Sequence, residues 1–74
     1  MTDTTTPLTI RVNGKPAGTA ALTVALLLAE RGIDASRPGI AVAVNRKVVP
    51  RKSWADAAIA ESDDIEIVQP FSGG

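Results

Sequence analysis

The C-terminal pair Gly73-Gly74, launched from the apolar segment Ile65-Glu66-Ile67-Val68, is where this sequence most readily carries chemistry. Glycine lacks a Cβ and reaches backbone conformations closed to other residues, so a terminal pair makes a thin thread that fits a narrow channel. The thread ends in an α-carboxylate, ionised at neutral pH and the one chemically unique group on offer. Such a carboxylate is an oxygen nucleophile towards an activated phosphate. It is a poor electrophile until it has become a mixed anhydride. The plain alternative is a frayed end of small residues, which is how most domains finish.

The remaining composition removes other chemistries. The 74-residue chain has no Cys and no His, which excludes thiol nucleophiles, disulfides, imidazole bases and the usual zinc sites. Eight Lys and Arg balance eight Asp and Glu, and aromatic residues make up 3%. No net field therefore draws in nucleic acid or an anionic membrane, and no stacking platform serves single strands. The charges are segregated, with Arg46, Lys47, Arg51 and Lys52 basic and Asp56, Glu61, Asp63, Asp64 and Glu66 acidic near the end. A solvated surface is the simplest use of both groups. Residues 1–7 are Thr-rich and lack the cationic start and apolar core of a signal peptide, and the apolar run 20–29 is too short to span a bilayer. The expectation is a soluble cytoplasmic domain with no bound cofactor, no nucleic-acid partner and no membrane partner. Any reaction it joins is carried out by the side chains of other proteins.

The elements that must position the C-terminal end follow from periodicity. Residues 1–7 read as a disordered leader. Leu8, Ile10 and Val12 alternate with polar residues as a strand does. Asn13-Gly14 is a type I′ hairpin signal, and Pro16 assigns the second strand to an edge. Thr23 is an N-cap, Leu22 is placed to pack on Leu27 as a hydrophobic staple, and Val24, Leu27 and Leu28 make one apolar helical face. Gly32 ends that helix, and Ile33 folds back onto its last turn. Ile40, Val42 and Val44 face one side of a strand, Asn45-Arg46 turns the chain into Lys47-Val48-Val49, and Pro50 stops it. Residues 53–60 hold a single helical turn anchored by Trp54, Ser62-Asp63-Asp64 is a polar turn, and residues 65–68 form the last strand, closed by Pro70.

A helix of this kind must cover one face of a sheet. The compact solution is an α+β fold in which about five strands form a mixed sheet on one main helix, with the last strand central and parallel to the first. This is the ubiquitin-like β-grasp, although local rules alone admit other small α+β folds. Residues 8–70 would be the domain and 71–74 a flexible tail, with a reach of roughly 13 Å from a rigid base.

The run Val42-Ala43-Val44-Asn45-Arg46-Lys47-Val48-Val49-Pro50-Arg51, Trp54, the last strand Asp64-Ile65-Glu66-Ile67-Val68 and Gly73-Gly74 together resemble the ThiS-type sulfur carrier family of thiamine biosynthesis. Val12-Asn13-Gly14 and Thr23-Val24-Ala25-Leu26-Leu27 fit the same pattern. The family tends to have Gly-Asp before its last strand, where this chain has Ser62-Asp63-Asp64; the departure concerns turn geometry rather than chemistry. The resemblance implies that Gly74 is adenylated by an activating enzyme using ATP and Mg²⁺, then converted to a thiocarboxylate with sulfur from a donor protein such as a cysteine desulfurase. Thiazole synthase then takes the sulfur. Gly73, Ser72 and Phe71 would present the carboxylate, and Val68 would join them at a partner if Ile65 and Ile67 face the core. Phe71 reads equally as a core residue or as an anchor for a partner's pocket. Two other readings stand beside this one: a carrier for another pathway, such as the small subunit of molybdopterin synthase, and a β-grasp interaction module with an incidental Gly-Gly end.

Overall fold

The computed structural model of the chain describes residues 7–70. The expected leader, apart from Pro7, and the expected tail 71–74 lie outside the described residues.

Strand β1 (Leu8–Val12) buries Ile10 and Val12 through its alternation. Asn13 (φ 52) and Gly14 (φ 84) supply the two left-handed residues of a type I′ turn into β2 (Lys15–Thr19), which lies antiparallel with Leu8 opposite Thr19. β2 is an edge strand, the place where a proline such as Pro16 is tolerated. Thr19, buried at the end of β2, donates its hydroxyl to the Glu30 carboxylate and accepts from the Ala21 amide at 2.9 Å. The other Glu30 oxygen accepts from the Ala20 amide at 3.2 Å, so one carboxylate ties the β2–α1 connection to the end of the helix.

Helix α1 (Val24–Glu30) is two turns long and buries Val24, Leu27 and Leu28, the face read from the sequence. Its first-turn amides all find acceptors. Leu26 donates to Thr23 Oγ1 (3.2 Å), Val24 to the Ala57 carbonyl and Ala25 to the Trp54 carbonyl (both 2.9 Å). At the far end the Gly32 amide bonds to the Ala29 carbonyl (3.0 Å) and the Ile33 amide to the Leu28 carbonyl (2.9 Å), with Gly32 at φ 75. That is a Schellman cap, and Ile33 packs against the core as its hydrophobic closure.

The expected staple of Leu22 on Leu27 does not form. The chain enters the helix extended, with Thr23 at φ −137 and ψ 163 and bridged to Ala58. Neighbouring side chains therefore alternate: Ala21 turns inward and Leu22 outward, 63% exposed. The backbone of Leu22 contributes instead, accepting from the Ile59 amide at 3.0 Å.

β3 (Ala41–Val44) and β4 (Lys47–Val48) form a second hairpin through Asn45 (φ 51) and Arg46 (φ 71). Pro50 ends it, and a 3-10 turn (Arg51–Ser53) begins two residues earlier than the single helical turn expected from the sequence. Trp54 behind it is buried, with its indole N–H donating to the Val49 carbonyl at 2.9 Å. β5 (Asp64–Val68) completes the five-stranded sheet in the order β2-β1-β5-β3-β4, parallel to β1 and antiparallel to β3. A mixed sheet with its last strand at the centre, carried on one helix, is the ubiquitin-like β-grasp. Ile10, Val24, Leu27, Leu28, Val42 and Ile65 are the largest fully buried side chains between its layers.

Ser62 enters β5 with φ 70, the left-handed region that disfavours a side chain. This is the one turn at which the chain departs from the glycine of the resembled pattern. Ser62→Gly should relieve the strain. Allowing for the entropy glycine loses on folding, a net stabilisation of about 0.5–1 kcal/mol is expected, read as a higher urea midpoint at unchanged slope.

Candidate functional site

The tail leaves from β5, so the base of the site is built by whatever holds that strand. Ile65 and Ile67 point into the core, while Glu66 and Val68 point out of the sheet. The condition attached to Val68 in the sequence is thus met: it stands on the open face, 61% exposed. Around it, Ala41, Ala43 and the 76%-exposed Val48 line a shallow apolar depression rimmed by Asn13 and Glu66. Gly74, Gly73, Ser72 and Phe71 lie outside the described residues.

Two asparagines clasp the central strand at opposite ends. The amide of Asn13 continues the parallel ladder by bonding to the Ile65 carbonyl at 2.9 Å. There the chain turns away, and the Asn13 side chain supplies the next rung. Its Oδ1 accepts from the Ile67 amide at 2.8 Å and its Nδ2 donates to the Ile67 carbonyl at 3.1 Å. Asn45 does the equivalent at the start of β5, its amide donating to the Asp64 carbonyl at 2.7 Å and its Oδ1 accepting from the Asp64 amide at 2.9 Å. Asn45 Nδ2 reaches Asp63 Oδ1 at 2.9 Å, and Asp63 Oδ2 accepts from the Ala60 amide at 2.8 Å. Sequence reasoning gave both asparagines a turn role only. Each tolerates the left-handed backbone and also uses the amide group that glycine lacks. The choice of Asn over Gly at both turns was the signal available.

The charged residues are less idle than their composition suggests. Arg46, Lys47 and Lys52 are exposed, as a solvated hairpin requires. Arg51 departs from that expectation. Its guanidinium donates to the carbonyls of Ala35 and, at 2.6 Å, Arg37, and lies 4.5 Å from the centre of the Trp54 ring. Glu61 accepts from the Thr9 amide at 2.9 Å. Asp34 accepts from the Ser36 hydroxyl (2.6 Å) and the Ser36 amide (2.9 Å), which hold its carboxyl below the usual value of 3.8, with Arg37 adding to the effect against slight burial. Among the described residues no three His, Cys, Asp or Glu side chains are grouped to hold a metal, and no helix is long and apolar enough to cross a membrane.

The model of the ThiS family matches residues 10–74, from within β1 through Gly74. The chain belongs to the ThiS family. It is 36% identical over 42 residues to the sulfur carrier protein ThiS of Escherichia coli, covering 57% of this chain and 64% of that protein. It is also 38% identical over 64 residues to a thiazole synthase of Paramagnetospirillum magneticum, where the match covers 85% of this chain and 19% of the larger protein. The chain thus spans about a fifth of one relative and under two thirds of the other. Among solved structures, the crystal structure of the thiamine biosynthesis protein ThiS from Geobacter metallireducens superposes with a TM-score of 0.74 at 26% identity, over 90% of this chain and all of that one. A solution structure of a thiamine biosynthesis protein from the same organism gives 0.75 at 25% identity, over 90% of this chain and 88% of that one. These ThiS-family likenesses agree with the β-grasp topology described above.

Asn13→Gly keeps the left-handed turn and deletes the rung to Ile67. It should cost about 1–2 kcal/mol by urea denaturation, and the Ile67 amide should lose hydrogen-exchange protection first. For Asp34, the side-chain carbon titration followed by NMR should have its midpoint below 3.8, and Ser36→Ala should move it upward. A carboxyl depressed in this way stabilises the fold above its unfolded value, and that stability is lost as pH falls through the folded one.

Proposed function

We propose that this chain is a sulfur carrier of thiamine biosynthesis whose reacting group is the carboxylate of Gly74. A carboxylate oxygen attacks the α-phosphorus of ATP on an activating enzyme, pyrophosphate leaves, and the Gly74 carbonyl becomes an acyl adenylate. The terminal sulfur of a persulfide on a donor protein, such as a cysteine desulfurase, attacks the acyl carbon and displaces AMP. An external thiol reductant then cleaves the resulting acyl disulfide, leaving the thiocarboxylate on Gly74 and the donor's thiol. Thiazole synthase then takes that sulfur for the thiazole ring. Mg²⁺ and ATP belong to the activating enzyme. The carrier itself catalyses nothing and works where ATP and these partners are found, in the cytoplasm.

The observation that carries this reading is a family match that extends to Gly74, on a fold whose central strand is the one leading to it. A cysteine-free chain favours it too, since a thiocarboxylate has no internal thiol with which to exchange. Thiazole synthase is supported as a partner by the stretch of a named thiazole synthase that this chain resembles. The docking surface we assign is the open sheet face around Val48 and Val68, with Ala41 and Ala43 between them, because it lies beside the exit of the tail and is apolar. Gly73, Ser72 and Phe71 then span the distance to the partner's active site, with Phe71 free to anchor there.

Incubation with an activating enzyme, Mg-ATP and a sulfur donor should raise the intact mass by one sulfur less one oxygen. Deleting Gly74 should abolish the gain without altering the melting temperature. A wild-type chain that gains no mass from a competent enzyme would exclude the carrier reading. Val68→Asp should raise the KM of the carrier for its activating enzyme by about tenfold or more while leaving the fold stable, since an exposed position tolerates the change and an apolar docking face does not.

A further inference from the structure

Pro70 is the last described residue before the tail, and what it rests on is specific. The β3–β5 register places Ala41 opposite Val68; extended outward by two positions it brings Gly39 opposite Pro70. Proline has no amide to continue the ladder, so the pairing stops there and the ring lies against Gly39 instead. Gly39 is at φ 86, and a Cβ on it would stand 3.3 Å from both Cβ and Cγ of Pro70. Two independent requirements, backbone hand and close approach, thus converge on one glycine.

The loop carrying Gly39 is tied down from the core. Trp54 is buried and fixed through its indole N–H to the Val49 carbonyl. Arg51 stacks on that ring and reaches the carbonyls of Ala35 and Arg37. The Arg37 amide in turn bonds to the Asp34 carbonyl at 3.1 Å, and the Asp34 side chain holds Ser36. The planar fork of arginine matches two neighbouring carbonyls in a way that a lysine ammonium does not. Contacts thus run from the core tryptophan to Arg37, and the backbone of Pro38 and Gly39 carries the path on to the proline at the exit.

We infer that Arg51, Gly39 and Pro70 are positioning residues that set the line along which the C-terminal segment leaves the sheet. They touch no reacting atom. Their effect is to narrow the volume searched by the terminal carboxylate while the sheet face is docked. The consequence for rate rests on the carrier reading above; the consequence for the geometry of the chain does not.

Three variants test it, Pro70→Gly, Arg51→Ala and the double variant, with Arg51→Lys as a fourth that keeps the charge without the fork. With the activating enzyme, Pro70→Gly should lower kcat for adenylation by about tenfold, because misplacement of a reacting group is costly, while KM stays at the wild-type value and the melting temperature falls only by the few degrees that glycine's extra chain entropy costs. Arg51→Ala should lower kcat in the same direction, and the double variant should lose no more than Pro70→Gly alone. Arg51→Lys should fail to rescue. A wild-type kcat for Pro70→Gly, or losses that add in full in the double variant, would overturn the inference. The second readout needs no partner. In a weakly aligning medium, the amide residual dipolar couplings of residues 71–72 should be sizeable in the wild type and collapse towards zero in both single variants, with sheet couplings unchanged. Near-zero wild-type couplings, or couplings the variants leave unaltered, overturn the inference whatever the chemistry. Absence of any adenylation with couplings that do collapse sinks only the carrier reading.

Discussion

The insertion of the last strand between the first and the third is the constraint on which the rest of this molecule depends. β5 receives ladder bonds from β1 on one side and β3 on the other, and buries Ile65 and Ile67 beneath the helix. Neither flanking strand is long enough to cover it completely. The asparagines at the two turns make up the difference, each contributing a side-chain amide where a peptide group is missing. The three backbone groups that their side chains satisfy on β5, the amide and carbonyl of Ile67 and the amide of Asp64, would otherwise be left to solvent at the two ends of the strand.

The helix is held by a second economy of the same kind. Two turns of helix are too few to be stable alone, and its amphipathic face and its ends supply what length does not. At the N-terminus the segment 54–57 offers two carbonyls, and at the C-terminus Gly32 and Ile33 close the last turn. Segment 51–58 thus serves both the helix start and, through Arg51, the loop that meets Pro70. Charged residues that would be a solvated periphery in a larger protein act here as braces between connections. The chain carries no net charge, and its open sheet face around Val48 and Val68 is apolar.

Much of this was legible in the sequence, and the division between what was and was not has a physical basis. The two-residue turn at Asn13-Gly14, the helical face Val24, Leu27 and Leu28, the cap at Gly32 and the inward pair Ile65 and Ile67 are set by neighbours within a few residues, and all could be read. The roles of Asn13, Arg51 and Glu30 depend on partners far along the chain, the Asn13 contact spanning 54 residues. Local pattern does not encode them. Leu22 was misplaced because the staple assumes a helical approach, whereas pairing with Ile59 holds that residue extended. At the site itself, Val68 followed from alternation once its neighbours were inward. Gly73 and Gly74 stood out because nothing else in the composition is reactive.

A sheet whose middle strand is the last to be made also has a consequence for biogenesis. Without residues 64–68, β1 and β3 have no common neighbour, and the two hairpins share no ladder. A nascent or prematurely terminated chain lacking that strand therefore has no native state to reach. The cell would degrade such fragments as unfolded protein, and the copies that attain the fold would be those translated at least through Val68.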